Sequence, residues 1–230
     1  MMARAANQID VYLEIGKKRS FAGAIYWPGW CRSGRDEEEA LQALFDYGPR
    51  YARVVRAARL GFRAPTDLSA FTVIERLKGT ATTDFGAPDA APSSDAKPVN
   101  PTELQRFQGL LKACWRAFDA SVRSAHGRAL AAGPRGGGRD LNRIIQHVLG
   151  SEGGYLTGLG WKLKQEEEDD PAKLLKHTRK TILEGLAAAA RGEIPAQGPR
   201  GGVRWTPRYF TRREAWHVLD HAWELEDRIL

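Results

Sequence analysis

The chain predicts an α+β protein, a small N-terminal ββαβ domain joined to a C-terminal four-helix bundle. Three observations carry this expectation. Apolar and polar residues alternate near the start, apolar residues recur at helical spacing in four segments beyond residue 101, and the stretch between them has almost no large apolar side chain.

The N-terminal elements follow in order. Val11, Leu13 and Ile15 alternate with Tyr12 and Glu14, Gly16-Lys17-Lys18 offers turn chemistry, and a second apolar run extends from Phe21 to Trp27, which together predict a β-hairpin. Pro28-Gly29 ends it. Asp36 and Glu39 form a capping-box-like helix start ahead of Ala40, Leu41, Leu44 and Phe45. Gly48-Pro49 breaks or kinks that helix, a further helical stretch runs from about Arg50 to Leu60 with Gly61 as its C-cap, and Phe71 to Leu77 reads as a last strand. The domain is thus expected over 1–78, with a linker rich in Ala, Pro, Ser, Thr and Asp over 79–101.

Helices alone are expected over 102–230. Asn100-Pro101 opens the first, with Leu104, Phe107, Leu111, Cys114, Phe118 and Val122 at core spacing. After the Gly-rich segment Gly133 to Gly138, Asp140 caps the second, which ends near Gly160. Asp170-Pro171 opens the third, and Thr211 with Glu214 is expected as the capping box of the fourth.

Composition bounds the function. Hydrophobic residues make up 42% and charged residues 27%, a globular balance. No apolar run approaches a transmembrane helix, and Met1 to Asp10 lacks a signal-peptide core, so no membrane association and a cytoplasmic setting are expected. Cys31 and Cys114, far apart in sequence, read as reduced, buried thiols. The net charge is +7, but basic and acidic residues interleave along most of the chain and the dense run Glu166 to Asp170 is acidic, which argues against nucleic acid as a partner.

Three histidines carry the chemistry. His217 and His221 stand one turn apart on the last predicted helix, within about 40° of each other around its axis, with Glu224 and Arg213 on the same side. His147 lies on the second predicted helix in a stripe continued by Ser151, Gly154 and Gly158, all small. Imidazoles from two facing helices suit a divalent ion with open coordination positions. The rival expectation is a solvated polar face, because the apolar arc of Ala215, Val218, Leu219, Ala222 and Ile229 points away from the pair. Glu224 is the candidate catalytic base or ligand-orienting group; Asp220 and Glu152 are weaker candidates, read first as surface charges or helix ion pairs. Arg213 and Tyr155 are candidates to hold substrate, and Trp161, Trp205 and Tyr209 to line an apolar pocket. His126 and His177 read as ordinary surface or loop residues.

Residues 102–230 resemble the DinB superfamily, including its YfiT-like metal-dependent members. The resemblance rests on Ile145-Gln146-His147-Val148-Leu149-Gly150-Ser151-Glu152 and Trp216-His217-Val218-Leu219-Asp220-His221. It implies a DinB-like four-helix bundle with His147, His217 and His221 as ligands of one divalent metal (zinc, nickel or iron). It further implies a transferase, isomerase or hydrolase acting on a small-molecule substrate, with a low-molecular-weight bacterial thiol as co-substrate, and a homodimer. Trp27-Pro28-Gly29-Trp30-Cys31 and Asp36-Glu37-Glu38-Glu39-Ala40-Leu41 resemble the HicB-like, partial ribonuclease H family. That second likeness implies an alternative, a non-enzymatic module whose HicB-like domain contacts a protein or nucleic acid.

Overall fold

The structure is a computed structural model that describes residues 8–133, 138–163, 168 and 170–230. The chain is mixed α and β and divides into two compact units, Met1–Ala96 and Lys97–Leu230. Most of the Glu166 to Asp170 run and the middle of the Gly133 to Gly138 segment lie outside the described residues.

In the first unit β1 (Ile9–Ile15) and β2 (Ser20–Ala24) form the expected hairpin, pairing Val11 with Ala24 and Ile15 with Ser20. A short third strand, β3 (Cys31–Gly34), extends it antiparallel. Asp36 caps α1 (Glu37–Asp46) by accepting from the Glu39 amide, and α2 (Gly48–Arg56) restarts at the Gly48-Pro49 break. The chain then returns as β4 (Phe71–Lys78), parallel to β1, giving the sheet order β3-β2-β1-β4. Trp30 sits at the centre of the core, fully buried, stacked on Tyr51 and donating from its indole to the Leu44 carbonyl at 2.8 Å.

Where a linker is expected, the chain is built into the first unit as far as Ala96. Thr80 caps a short helix, α3 (Ala81–Phe85), and the buried Glu14 carboxylate of β1 accepts from the Thr83 hydroxyl and from the Asp89 and Ala90 amides. Burial pushes the Glu14 carboxyl up, and those donors oppose the shift. A polar anchor of this kind needs no large apolar residue, which is why composition hides it.

The second unit holds four long helices, α4 (Pro101–Ala125), α5 (Leu141–Leu159), α6 (Pro171–Ala190) and α7 (Pro207–Arg228). Asn100, Asp140 and Asp170 cap the first three as their sequence signals require. The fourth begins earlier than expected. Thr206 is its cap with Pro207 in the first turn, so Thr211 and Glu214 lie inside the helix, and the Thr211 hydroxyl donates back to the Pro207 carbonyl. Helix α7 packs against α4, α5 and α6, and every residue from Tyr209 to Leu219 is buried. The solvated-face expectation for its histidines is therefore incorrect: the side of α7 away from the apolar arc is covered by other helices.

A buried polar cluster joins all four helices. Arg179 of α6 bonds Asp119 of α4 at 2.7 Å and Glu152 of α5 at 3.4 Å, and Trp115 of α4 donates to Glu214 of α7 at 3.0 Å. Glu152 and Glu214 are fully buried, and Oε2 of each has no hydrogen-bond partner, so burial and their like charge favour the protonated carboxyl. Glu152 is thus not the surface charge the sequence suggested. Burial pushes both carboxyls up, Glu214 to about 7, while Arg179 opposes the shift.

A carboxyl raised on folding stabilises least at high pH. Native Glu214 keeps its proton where an unfolded glutamate near 4.5 has released it, so stability falls as pH rises from about 4.5 to about 7. Glu214→Gln keeps an acceptor for Trp115 and removes the titration. It is expected to gain on the wild type by on the order of 2–3 kcal/mol between pH 4.5 and pH 8, measured by urea unfolding. Parallel pH profiles for the two proteins would refute the raised carboxyl.

Candidate metal centre

His147 projects from α5, and His217 and His221 from successive turns of α7. The three offer ligand nitrogens that all lie within 4.8 Å of one another. His147 Nε2 and His217 Nε2 stand 3.2 Å apart, and the ring centroids are separated by 5.1, 4.9 and 4.7 Å. Two nitrogens at about 2.0–2.1 Å from a tetrahedral ion are separated by about 3.3 Å, so the first pair already has the spacing of a coordination edge. His217 and His221 are buried and His147 half-buried, which leaves an approach on the α5 side.

The surroundings favour neutral rings. Burial first, then the neighbouring His221 and Arg139, pushes His147 down to about 4. His217 is pushed well below its ordinary range by burial, the two other histidines, Arg213 and Arg139. Imidazole binds a metal only when deprotonated at the ligating nitrogen, so these rings need lose no proton to coordinate at neutral pH.

His221 is held from behind. Its Nδ1 faces Glu224 Oε2 at 2.7 Å, which leaves Nε2 as its ligating nitrogen, and Glu224 Oε1 accepts from Arg228 at 2.6 Å. Arg228 is itself fixed by the Ala131 and Arg139 carbonyls. A carboxylate behind a ligating histidine sets tautomer and ring orientation. Of the two roles expected for Glu224, orienting a ligand matches this geometry. Both oxygens are engaged, and the His221 hydrogen bond holds its carboxyl below the ordinary range.

Tyr155 and Arg213 stand on the other flank. The Tyr155 ring meets His217 edge-on at 5.5 Å, and Arg213 donates to its hydroxyl at 3.3 Å while lying over the Trp216 ring. Burial pushes the Tyr155 phenol up to about 12, so it stays protonated at neutral pH. Trp205 and Tyr209 continue the aromatic wall from Tyr155. Trp205 lies on Gly158, where an added Cβ would meet the indole at 3.0 Å, so one small residue of the stripe serves this close approach. Trp161 packs instead on Gly185 of α6, away from that wall. His126 is exposed at the end of α4, His177 is half-buried on α6, and Asp220 is half-buried.

Sequence reasoning brought together His147, His217, His221, Glu224, Arg213 and Tyr155. It missed Arg228 and the Arg139 carbonyl, whose only sequence signal is the i, i+4 spacing of Glu224 and Arg228. No family model, curated protein or solved structure matches this chain. No helix among the described residues is long and apolar enough to cross a membrane.

Proposed function

We propose that the second unit is a DinB-like four-helix bundle binding one divalent metal through His147, His217 and His221. In this reading it is a transferase or hydrolase acting on a small molecule, with a low-molecular-weight thiol as co-substrate. The observation that carries the proposal is the convergence of three imidazoles, one of them oriented by a buffered carboxylate.

A bound divalent ion supplies Lewis acidity and lowers the pKa of a coordinated water or thiol. The chain's own residues do the rest. Glu224 keeps the His221 Nδ1 proton in place and so presents Nε2. Arg213 and the protonated Tyr155 hydroxyl offer donors to an anionic or carbonyl oxygen of the substrate beside His217. Trp205 and Tyr209 supply an apolar wall that limits water on that flank. Imidazole nitrogen suits zinc, nickel and iron alike.

Untagged protein is expected to carry or take up about one divalent ion per chain, measured by elemental analysis and titration with zinc, nickel and ferrous ions. A screen of thiols with electrophilic acceptors then separates transfer from hydrolysis. Protein that arrives without metal and gains none on reconstitution would refute the site.

A further inference from the structure

The first unit carries a partly exposed aromatic pair and a run of arginines that the metal centre does not use. Between Asp46 and Asp67 the chain has no acidic residue, and Arg50, Arg53, Arg56, Arg59 and Arg63 fall within that interval. Overall charge balance conceals this local run. Tyr51 and Val55 bury the inner face of α2, so Arg50, Arg53 and Arg56, three residues apart, fan across its outer face over about 9 Å of helix. Arg59 follows at φ 52, a left-handed conformation that an arginine seldom adopts, and the chain turns there toward Phe62. Arg53, Arg56, Arg59 and Arg63 are exposed, while Glu39 and Glu37 of α1 pair with Arg35 and Arg76 instead.

The aromatic part is ordered from below. Trp27, half-buried, packs edge-on against Phe62 at 4.8 Å and Tyr51 at 6.4 Å. The Tyr51 hydroxyl donates to the Pro28 carbonyl at 2.9 Å and pins the turn that carries Trp27. Tyr26 stands edge-on to Trp27 at 5.4 Å and is 60% exposed. Arg50 precedes Tyr51 and Arg63 follows Phe62, so the guanidinium run begins and ends at the residues that support the platform.

We propose that this surface binds single-stranded nucleic acid, with the arginines on successive phosphates and Tyr26 with Trp27 stacking on bases. A single strand offers both phosphates to guanidinium groups and unstacked base faces to exposed rings. Duplex keeps its bases stacked and offers no free base face to Tyr26. An acidic peptide offers charges but no planar faces, and a membrane favours a broader apolar patch. Arginine, with its planar fork, also matches phosphate better than lysine does.

The test is fluorescence anisotropy of a labelled oligouridine, about twelve nucleotides long, with the full chain at 50 and 200 mM salt. Arg53→Gln, Arg56→Gln and Arg59→Gln combined are expected to weaken binding at least about tenfold at low salt and to make the logarithmic salt slope shallower by about 2. Tyr26→Ala, at an exposed position, is expected to weaken binding about 5- to 100-fold with unchanged thermal unfolding. Metal content should be the same in all variants, so failure here is separable from failure of the metal centre. Absence of wild-type binding, or variants that bind like the wild type, overturns the proposal. So does duplex binding as tight as single-strand binding, or capture by anionic phospholipid vesicles in place of the oligonucleotide.

Discussion

Arg179→Ala is expected to destabilise the second unit by about 3–5 kcal/mol, the largest single loss anticipated in this chain. The guanidinium lies nine-tenths buried and bridges Asp119 on α4 to Glu152 on α5, close to the Trp115 and Phe118 rings. Its removal leaves two fully buried carboxyls with no cation beside them. The protein must then protonate Glu152 and Glu214 more fully or admit water, and either course costs native-state stability at neutral pH. The loss should therefore grow as pH rises from 5 to 8. Arg179→Met together with Glu152→Gln fills the space and removes one buried charge of each sign, and is expected to recover most of the stability. Urea unfolding monitored by tryptophan fluorescence reads all three proteins. A loss under about 1 kcal/mol for Arg179→Ala would show that the cluster is solvated and does not cross-link the helices.

That cluster also marks the limit of what could be read from the chain. Helix starts were legible because Asp36, Asn100, Asp140 and Asp170 act through local hydrogen bonds to residues two or three positions on. The histidine pair was legible too, since i, i+4 spacing puts two imidazoles on one side of a helix, whereas the placing of His147 opposite them followed from the resemblance. Strand β3 was not, because Cys31-Arg32-Ser33-Gly34 is too short to show alternation and its pairing with β2 is a tertiary event. The carboxyl pair was also illegible. Glu152 and Glu214 are isolated glutamates in the sequence, and only packing α5 against α6 and α4 against α7 supplies the Arg179 and Trp115 that make their burial tolerable. The same packing covers the polar side of α7. His217 and His221, with Arg212 and Arg213, look solvated by periodicity and are buried by position.

Zinc is expected to raise the melting temperature of the wild-type protein and not that of His217→Ala. A ligand bound only by the native state stabilises by about 4 kcal/mol at a thousand times its dissociation constant, which corresponds to a shift on the order of 10 °C for a unit of this size. Removal of one imidazole leaves two nitrogens, His147 on α5 and His221 on α7, which can no longer surround the ion from three directions. Zinc affinity should fall by far more than the 10- to 100-fold typical of losing a group that only orients a ligand. Glu224→Gln supplies that graded comparison. It keeps the shape of the contact to His221 while weakening its charge, so its shift should lie between the wild type and His217→Ala. Without metal, His217→Ala should unfold close to the wild type. Its Nδ1 is buried with no hydrogen bond, so the lost ring takes an uncompensated polar atom with it and partly offsets the cavity it leaves. Equal zinc shifts in the wild type and His217→Ala would mean that the ion binds elsewhere and that the three histidines are a buried, metal-free contact.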